Sequence, residues 1–430
     1  MRVLLIGSGG REHALAACLA RSPLLTALFT APGNPGTALF GDNVAIAVDD
    51  VRTLIAFARA EGIDLVVPGP EAPLVAGLAD ACAEAGIACA GPTEAAAHLE
   101  GSKHFTKEIC EAAGIPTARW EYFTDAAAAH AFVRRRGVPT VVKADGLAAG
   151  KGVVVATTLA EAEAAIDAIM HAGAEQDAGA SGASLIIEEC LEGDEISLFA
   201  FCDGSDAILI GAAQDHKRIG EGDTGPNTGG MGAISPPPGF DRAAQEHALD
   251  RLVRPALAEM ARRGTPFRGV IFAGLMRTAD GLKLIEYNVR FGDPEAQALL
   301  PRLQSDLLAA LVAMCEGRLG EAALQFSDEA SIAIVLAGRG YPGTPTTGGA
   351  ISGIEQAEQI TGVRVFQAAT RLDEAGVLRG VGGRVLTVCA TASSLIDARD
   401  AAYAAVARID WPDAIWRRDI GVRALAEQAK

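Results

Sequence analysis

The segment Val141–Val155, VVKADGLAAGKGVVV, restricts the fold of this chain more than any other. Two runs of β-branched residues flank a glycine-rich loop, which predicts a strand, a loop and a second strand. Glycines let backbone N–H groups approach a ligand closely, and lysines supply the positive charge that a polyphosphate requires. The residues that give the loop this character are Gly146, Gly150, Gly152, Lys143 and Lys151.

A Walker A loop is the first alternative for this segment. It requires G-x-x-x-x-G-K-[ST] at the start of a helix. Here the spacing from Gly146 to Gly150 is one residue short, Gly152 replaces the hydroxyl residue, and Val153–Val155 follow as a strand. A Walker A loop is therefore excluded. A plain glycine hairpin that binds nothing remains open for the segment taken alone.

Length and charge exclude several classes of protein. The 430 residues predict about three or four structural units. The formal net charge of -17 argues against wrapping nucleic acid and against an anionic membrane surface. No apolar run approaches the ~20 residues that span a bilayer. Because Met1-Arg2 leads directly into the apolar run Val3–Ile6, we expect no signal peptide.

The cysteines indicate the cellular compartment. There are 8, scattered along the chain without a CxxC pair or a metal-ligand spacing. Most lie in apolar or helical surroundings, as reduced structural thiols do. We therefore expect a cytoplasmic protein.

The first 120 or so residues alternate strands and helices, which predicts a parallel sheet with ligands at the carboxyl ends of its strands. The turn GSGG precedes a helix, but the third glycine of a dinucleotide fingerprint would fall at Glu12. No acidic residue follows the second strand, Leu28–Thr30, so NAD is not expected. A helix start carrying Gly9, Gly10 and Arg11 could still bind one phosphate.

Two further segments point to a ligand. Lys103 lies in the first turn of a helix capped by Ser102, where a positive charge is unfavourable because it opposes the helix dipole. Either Lys103 binds an anion at this position or its side chain is simply exposed to solvent. The segment Gln214–Pro238 reads as a long Gly/Pro-rich loop, which favours a functional role. We assign no chemistry to its His216.

A strand ending at Asn288 predicts a metal site. Glu286 and Asn288 are two residues apart, so both side chains point to one face, and Arg290 continues the series. Carboxylate and amide oxygens are hard ligands that suit Mg²⁺. An alternating solvated strand would have the same spacing, although the turn that follows, Gly292–Glu295, makes this less attractive.

Taken together, the motifs resemble those of the phosphoribosylamine–glycine ligase family of ATP-grasp enzymes. The resemblance covers essentially the whole chain, through GSGGREHA, APGNPGT, VPGPEAPLV, GSKHFTK, KADGLAAGKGV, IIEECLEGDE, QDHKR, DTGPNTGGMGA, IEYNVRFGDPE and GGRV. It implies a mixed α/β ATP-grasp fold. Four domains follow from it: an N-terminal Rossmann-like domain (1–121), a small lid domain (122–190), a central ATP-grasp domain (191–329) and a C-terminal domain (330–430).

The resemblance also implies a role for each matching residue. ATP phosphates would contact Lys103, Lys143, Gly146, Gly150, Lys151 and Gly152. Adenine would lie against the backbone of Glu188, Glu189, Cys190 and Leu191, and the ribose hydroxyls against Glu195. Mg²⁺ or Mn²⁺ would bind Glu286 and Asn288. The catalytic groups would be Arg290, which neutralises the γ-phosphate, Lys143 and Asp293. The other two substrates would contact Gly9, Gly10, Arg11, Asn34, Pro70, Glu71, Asp215, Lys217, Asn227, Gly230, Met231, Gly232 and Asp293.

In one respect the chain departs from many ATP-grasp enzymes. The strand before the metal pair, VIFAGLM (Val270–Met276), carries no acid, so ATP oxygens and waters would complete the metal coordination. The implied reaction joins 5-phosphoribosylamine and glycine at the expense of ATP, through a glycyl phosphate. We expect these small molecules as partners, no nucleic acid or membrane, and a monomer or weak homodimer. Another ATP-grasp carboxylate–amine ligase and a nucleotide-binding protein without turnover remain alternatives.

Overall fold

The computed structural model describes residues 1–147, 152–176 and 184–428. Its first unit is a sheet of five parallel strands in the order β3-β2-β1-β4-β5, which confirms the predicted parallel sheet. The elements are β1 (Arg2–Gly7), α1 (Gly10–Leu19), β2 (Ala27–Pro32), β3 (Asp42–Asn43), α2 (Val51–Ala60), β4 (Leu65–Pro68), α3 (Ala72–Val75), α4 (Leu78–Ala85), β5 (Ala88–Cys89), α5 (Glu94–Gly101) and α6 (Lys103–Ala113).

The second unit is a four-stranded antiparallel sheet in the order β6-β9-β7-β8, with two helices packed on it. Its elements are β6 (Trp120–Phe123), α7 (Ala126–Arg136), β7 (Thr140–Ala144), β8 (Val153–Ala156), α8 (Leu159–Gln176) and β9 (Leu185–Glu189). In the hairpin, Lys143 pairs with Val153. The two predicted strands around the glycine loop are thus confirmed, whereas Gly150 and Lys151 lie outside the described residues.

The third unit is a nine-stranded sheet, in the order β16-β15-β10-β11-β14-β17-β21-β18 with β22 paired to β17. The elements from its first strand onward are β10 (Asp194–Asp203), β11 (Ala207–Asp215), β12 (Arg218–Gly220), β13 (Thr224–Asn227), β14 (Gly232–Ser235), α9 (Arg242–Ala248), α10 (Arg254–Arg262), β15 (Arg268–Thr278), β16 (Gly281–Asn288), α11 (Glu295–Leu299), α12 (Leu307–Cys315), β17 (Ala330–Gly338), α13 (Ile354–Glu358), β18 (Val363–Gln367), β19 (Thr370–Leu372), β20 (Leu378–Gly380), β21 (Arg384–Ala392), α14 (Leu395–Val406), β22 (Ala414–Ile415) and α15 (Val422–Gln428).

The segment 214–238 is more regular than its composition suggests. It contains the end of β11, the hairpin of β12 and β13, and β14, so the interpretation as a long loop is wrong. The strand β14 pairs with β11 on one side and with β17 on the other. Because β17 begins about a hundred residues later in the chain, glycine and proline content could not reveal this pairing. One sheet therefore extends across the predicted boundary at residue 330.

Two helical segments are irregular. The segment 72–85 is divided into α3 and α4 at Gly77, whose φ of 82° lies in the left-handed region that glycine tolerates. The segment 242–262 passes through a π-helical turn, Leu249–Val253, between α9 and α10. Pro255 in the first turn of α10 has no N–H to donate, which fits this irregular junction.

The apolar core between the nine-stranded sheet and the first unit is mostly aliphatic and contains an aromatic cluster, in which Phe199 packs against Phe272 and Phe291. None of the helices that the structure describes has the length and apolar character needed to span a bilayer.

Candidate active site

The glycine hairpin is held against the start of α6 by Asp145. Its carboxylate accepts hydrogen bonds from the Lys103 backbone N–H at 2.7 Å and from the Ser102 hydroxyl at 3.2 Å. In return, Lys103 Nζ donates to the Gly146 carbonyl at 2.9 Å. A carboxylate is the charge that a helix start favours. The backbone N–H at this helix start is therefore bonded to Asp145, a residue that sequence reasoning did not single out, and the phosphate contact of the Lys103 side chain stays a prediction.

Two lysines meet on one buried glutamate beneath the hairpin. Lys143 Nζ lies 2.8 Å from Glu188 Oε2, and Lys107 Nζ lies 2.9 Å from Glu188 Oε1. Burial would raise the pKa of Glu188, but the two lysines outweigh it and hold the pKa below its ordinary value. Lys107 also donates to Thr117 Oγ1 at 2.6 Å. Lys143 is thus fixed at the end of β7, and Lys107 is a member of the site that sequence reasoning missed.

The segment predicted to bind adenine continues from β9. Glu189 pairs with Arg119 at 2.7 Å, whereas Cys190 and Leu191 are half-buried. Glu195, the predicted ribose ligand, lies 2.7 Å from Lys217 Nζ. Burial lowers the pKa of Lys217, but Glu195 and Glu286 outweigh that effect and hold it above its ordinary value. Lys217, a predicted substrate residue, therefore lies on the nucleotide side as well.

The predicted metal pair lies at the end of β16, with Glu286 opposite Gly274 and Asn288 opposite Phe272. This alternation places both side chains on one face. Asn288 Nδ2 is buried and has no hydrogen-bond partner among the described residues, so these leave the amide free to turn its oxygen towards a cation. Glu286 makes no ion pair within the described ranges. These two oxygen donors fit a divalent cation.

The number of protein ligands is small. The part of the chain that the structure describes contains no group of three or more His, Cys, Asp and Glu residues arranged to hold a metal. Mg²⁺ commonly keeps few protein ligands and completes its shell with phosphate oxygens and water. The absence of an acid on β15 agrees with this.

Arg290 is held between two carboxylates. Its Nε lies 3.0 Å from Glu71 Oε2, and its Nη2 lies 2.9 Å from Glu100 Oε1. Glu100 also accepts from the Val289 N–H at 2.7 Å. Burial raises the pKa of Glu100 to about 7, against the opposing effect of Arg290. Glu71 is thus paired with Arg290, and its predicted contact with a substrate stays a prediction. Sequence reasoning missed Glu100 because its partners are 189 and 190 residues away.

The turn before α1 faces carboxylates. The Gly9 N–H donates to Glu12 at 2.5 Å, and the Arg11 N–H donates to Asp293 at 3.2 Å. The Arg11 guanidinium bonds Glu12 Oε1 at 2.6 Å. At Gly10 an added Cβ would lie 2.5 Å from Gln297 Nε2, so this glycine permits close packing. A phosphate at this turn stays a prediction, with two carboxylates opposing it.

Two other predicted substrate residues lie nearby. The Asn34 side chain is buried and fully bonded: its Nδ2 donates to Ser8 O at 2.8 Å and Gln367 O at 2.9 Å, while its Oδ1 accepts from Gly36 N–H at 2.8 Å. It therefore joins the first unit to β18. Pro70 is half-buried at the end of β4.

The segment before β14 packs against the turn at Asp293. Gly230 has a φ of 106°, and a Cβ there would lie 2.5 Å from Pro294 Cδ and 2.7 Å from Asp215 Oδ1. Burial and Glu295 raise the pKa of Asp215 well above its ordinary value, and its Oδ1 is buried without a hydrogen bond. The other predicted residues of this segment are placed as follows: Met231 and Gly232 are buried, and Asn227 is exposed on β13.

Arg384, at the start of β21, completes this side of the site. Its Nη1 donates to the Asp293 carbonyl at 2.6 Å and to the Gly229 carbonyl. Asp293 thus contacts Arg384 through its carbonyl and Arg11 through its carboxylate. Arg384 belongs to the GGRV motif, one of the motifs that carry the family resemblance, but sequence reasoning assigned no role to this arginine.

These contacts define two halves of one site. One half presents lysines and hard oxygen ligands from the four-stranded sheet and from β16; the other joins α1, the Asp293 turn and β21. A small four-stranded antiparallel sheet with two helices, joined to a larger sheet in this way, is the architecture of an ATP-grasp protein.

Comparison with known proteins identifies the family. Residues 1–100, 101–296 and 331–423 match the N, ATP-grasp (A) and C domains of phosphoribosylglycinamide synthetase, in that order. The chain belongs to the phosphoribosylglycinamide synthetase family. It is 52% identical to the phosphoribosylamine–glycine ligase of Brucella melitensis, over 100% of this chain and 99% of that protein.

Solved structures agree. The crystal structure of phosphoribosylamine–glycine ligase from Thermotoga maritima is similar with a TM-score of 0.84 and 29% identity, covering 97% of this chain and 100% of that one. A biotin carboxylase complex from Campylobacter jejuni has a TM-score of 0.73 at 15% identity, covering 96% and 92% of the two chains, and shares the fold alone.

Proposed function

We propose that this chain joins 5-phosphoribosylamine and glycine to form glycinamide ribonucleotide, with ATP converted to ADP and phosphate. The observation that carries the proposal is its full-length similarity to phosphoribosylamine–glycine ligases, with all three family domains in order. The site agrees with it, because cations and oxygen ligands are arranged for phosphoryl transfer and no nucleophile is required.

The first step activates glycine. A carboxylate is a poor electrophile, so one of its oxygens attacks the γ-phosphorus of ATP, which gives glycyl phosphate and ADP. Lys103, which contacts the hairpin, and Lys143, which contacts Glu188, would position the phosphates, and Arg290 would counter the charge that develops on the transferred group. A divalent cation held by Glu286 and Asn288 would neutralise charge on the ATP phosphates when bound; Mg²⁺ and Mn²⁺ are the proposed ions.

The second step forms the amide bond. The amine of 5-phosphoribosylamine attacks the acyl carbon and releases phosphate. The amine loses a proton in this step, which the Asp293 carboxylate or the departing phosphate would accept. Water has to be kept from the acyl phosphate, a purpose that the glycine hairpin held by Asp145 would serve.

The proposed partners of the protein are small molecules. Every site residue predicted from the sequence is assigned to ATP, a metal ion, glycine or 5-phosphoribosylamine, and we propose neither a nucleic-acid nor a membrane partner, in keeping with the net charge of -17. All eight cysteines are free, which agrees with a reducing compartment such as the cytoplasm. A monomer or weak homodimer remains the proposed assembly.

The proposal is tested by following ADP release with each substrate left out in turn. ADP should form only when ATP, glycine and 5-phosphoribosylamine, generated from ribose 5-phosphate and ammonia, are all present. A preference for another acid or amine would indicate a different ATP-grasp ligase. ATP binding without any ADP would indicate a nucleotide-binding protein.

A further inference from the structure

We propose that Arg384 binds the 5-phosphate of phosphoribosylamine. The inference rests on the proposed function and assigns one substrate group to one side chain. It differs from the sequence-based expectation, which put this phosphate at the start of α1.

The start of α1 is a poor place for a second anion. Glu12 and Asp293 already accept hydrogen bonds from backbone N–H groups of this turn. A dianionic phosphate there would have to displace these carboxylates or lie against them, and like charges in a partly buried site repel strongly.

The other cations of the site are already engaged. Each of those that the structure describes contacts a carboxylate or a carbonyl: Lys103 with the Gly146 carbonyl, Lys107 and Lys143 with Glu188, Lys217 with Glu195, Arg290 with Glu71 and Glu100, and Arg11 with Glu12. Five of these six lie on the nucleotide half or beside the metal pair. The acceptor half therefore needs another cation.

Arg384 has the required free donors. Its Nη1 is used by two carbonyls, whereas Nε and Nη2 make no hydrogen bond within the described ranges, and 24% of the side-chain surface is exposed. These two nitrogens form one edge of the planar guanidinium, which matches two oxygens of a phosphate. The bonds through Nη1 fix that edge in advance, so little side-chain entropy is lost on binding.

The position of Arg384 suits the acceptor substrate. Through Asp293 it is linked to α1 on one side, and through Gly229 to the segment before β14 on the other. Asp293 Oδ1 lies 3.6 Å from Nη1, the nitrogen that already bonds the two carbonyls, so this carboxylate contributes to orienting the guanidinium.

The test compares the stable product, glycinamide ribonucleotide, with its dephosphorylated form, glycinamide riboside. Binding of each to wild type, Arg384→Met and Arg384→Lys is measured by calorimetry. Arg384→Met should weaken ribonucleotide binding roughly 10- to 100-fold, the usual range for a lost charged hydrogen bond, and change riboside binding less than about twofold. Arg384→Lys should recover only part of the loss, because it lacks the planar fork. Arg371→Met, an exposed arginine on β19, is the matched control and should bind both like wild type.

Equal weakening of both compounds by Arg384→Met would show that Arg384 only supports the fold, and unchanged binding of both would show that the phosphate lies elsewhere; either result overturns the inference. If wild type binds neither compound, the proposed function itself fails. If wild type makes the product from ATP, glycine and phosphoribosylamine but Arg384→Met keeps its preference for the phosphate, only this inference fails.

Discussion

Glu100 and Arg290, separated by 190 residues in the sequence, form a buried ion pair with 2.9 Å between Oε1 and Nη2. The second oxygen of Glu100 accepts the N–H of Val289, next to the metal-ligand candidate Asn288. One carboxylate therefore fixes both the arginine proposed to face the γ-phosphate and the strand end that carries the metal pair.

Glu100→Gln should lower kcat about tenfold, which corresponds to a loss of ~1.4 kcal/mol in transition-state stabilisation. Glutamine still accepts the Val289 N–H but lacks the charge that orients Arg290. Steady-state ADP release measures the effect, with Glu111→Gln on the exposed face of α6 as control. A kcat equal to that of wild type would remove the positioning role of Glu100.

Glu286→Ala should abolish most metal-dependent activity, by roughly 100-fold or more, since a hard oxygen ligand is lost from a site with few protein ligands. The free energy of unfolding in urea should change by less than about 1 kcal/mol, because Glu286 makes no ion pair in the described part of the chain. The exposed Glu84→Ala on α4 is the control. Full activity of Glu286→Ala at ordinary Mg²⁺ would refute the metal assignment.

Asp145→Ala should raise the dissociation constant for ATP several-fold. The substitution removes the carboxylate that joins the hairpin to the start of α6, a loss comparable to that of a helix cap, about 1 kcal/mol. Binding of a non-hydrolysable ATP analogue, measured by calorimetry, separates this effect from turnover. Asp49→Ala, an exposed aspartate of the first unit, should bind like wild type. Unchanged affinity in Asp145→Ala would show that the contact has no part in nucleotide binding.

His13 should make stability depend on pH. Burial lowers its pKa from 6.5 to about 4. Between these values the unfolded chain binds more protons, so stability rises with pH. The contribution of roughly 3 kcal/mol is fully present above pH 6.5 and is lost as the pH falls towards 4.

Urea unfolding of wild type and His13→Gln at pH 7 and pH 5 measures this contribution. Wild type should lose more stability between the two pH values than the variant, whereas the exposed His247→Gln should behave like wild type. Equal losses in wild type and His13→Gln would contradict the effect.

The sequence could predict features formed by neighbouring residues. The hairpin of β7 and β8 was predictable because its β-branched runs pair across one short loop. The common face of Glu286 and Asn288 followed from the two-residue period of a strand. The parallel first sheet followed from alternating strands and helices.

Features that depend on distant partners could not be predicted. Asp145, Glu100, Lys107 and Arg384 acquire their roles from residues that only the folded chain brings near them. The strand β14 was hidden for the same reason, because its partner β17 lies far along the chain. The phosphate expected at the start of α1 is an example. The helix does begin there, but the backbone N–H of Arg11 is bonded to Asp293, which lies 282 residues away in the sequence.

The most direct test of the account follows oxygen from glycine labelled with ¹⁸O in both carboxyl positions. If glycine is activated as an acyl phosphate, the inorganic phosphate released in the complete reaction carries one ¹⁸O and the glycinamide ribonucleotide retains the other. Mass spectrometry of both products should show this equal division. Phosphate free of label, formed while glycinamide ribonucleotide accumulates, would contradict the glycyl phosphate mechanism.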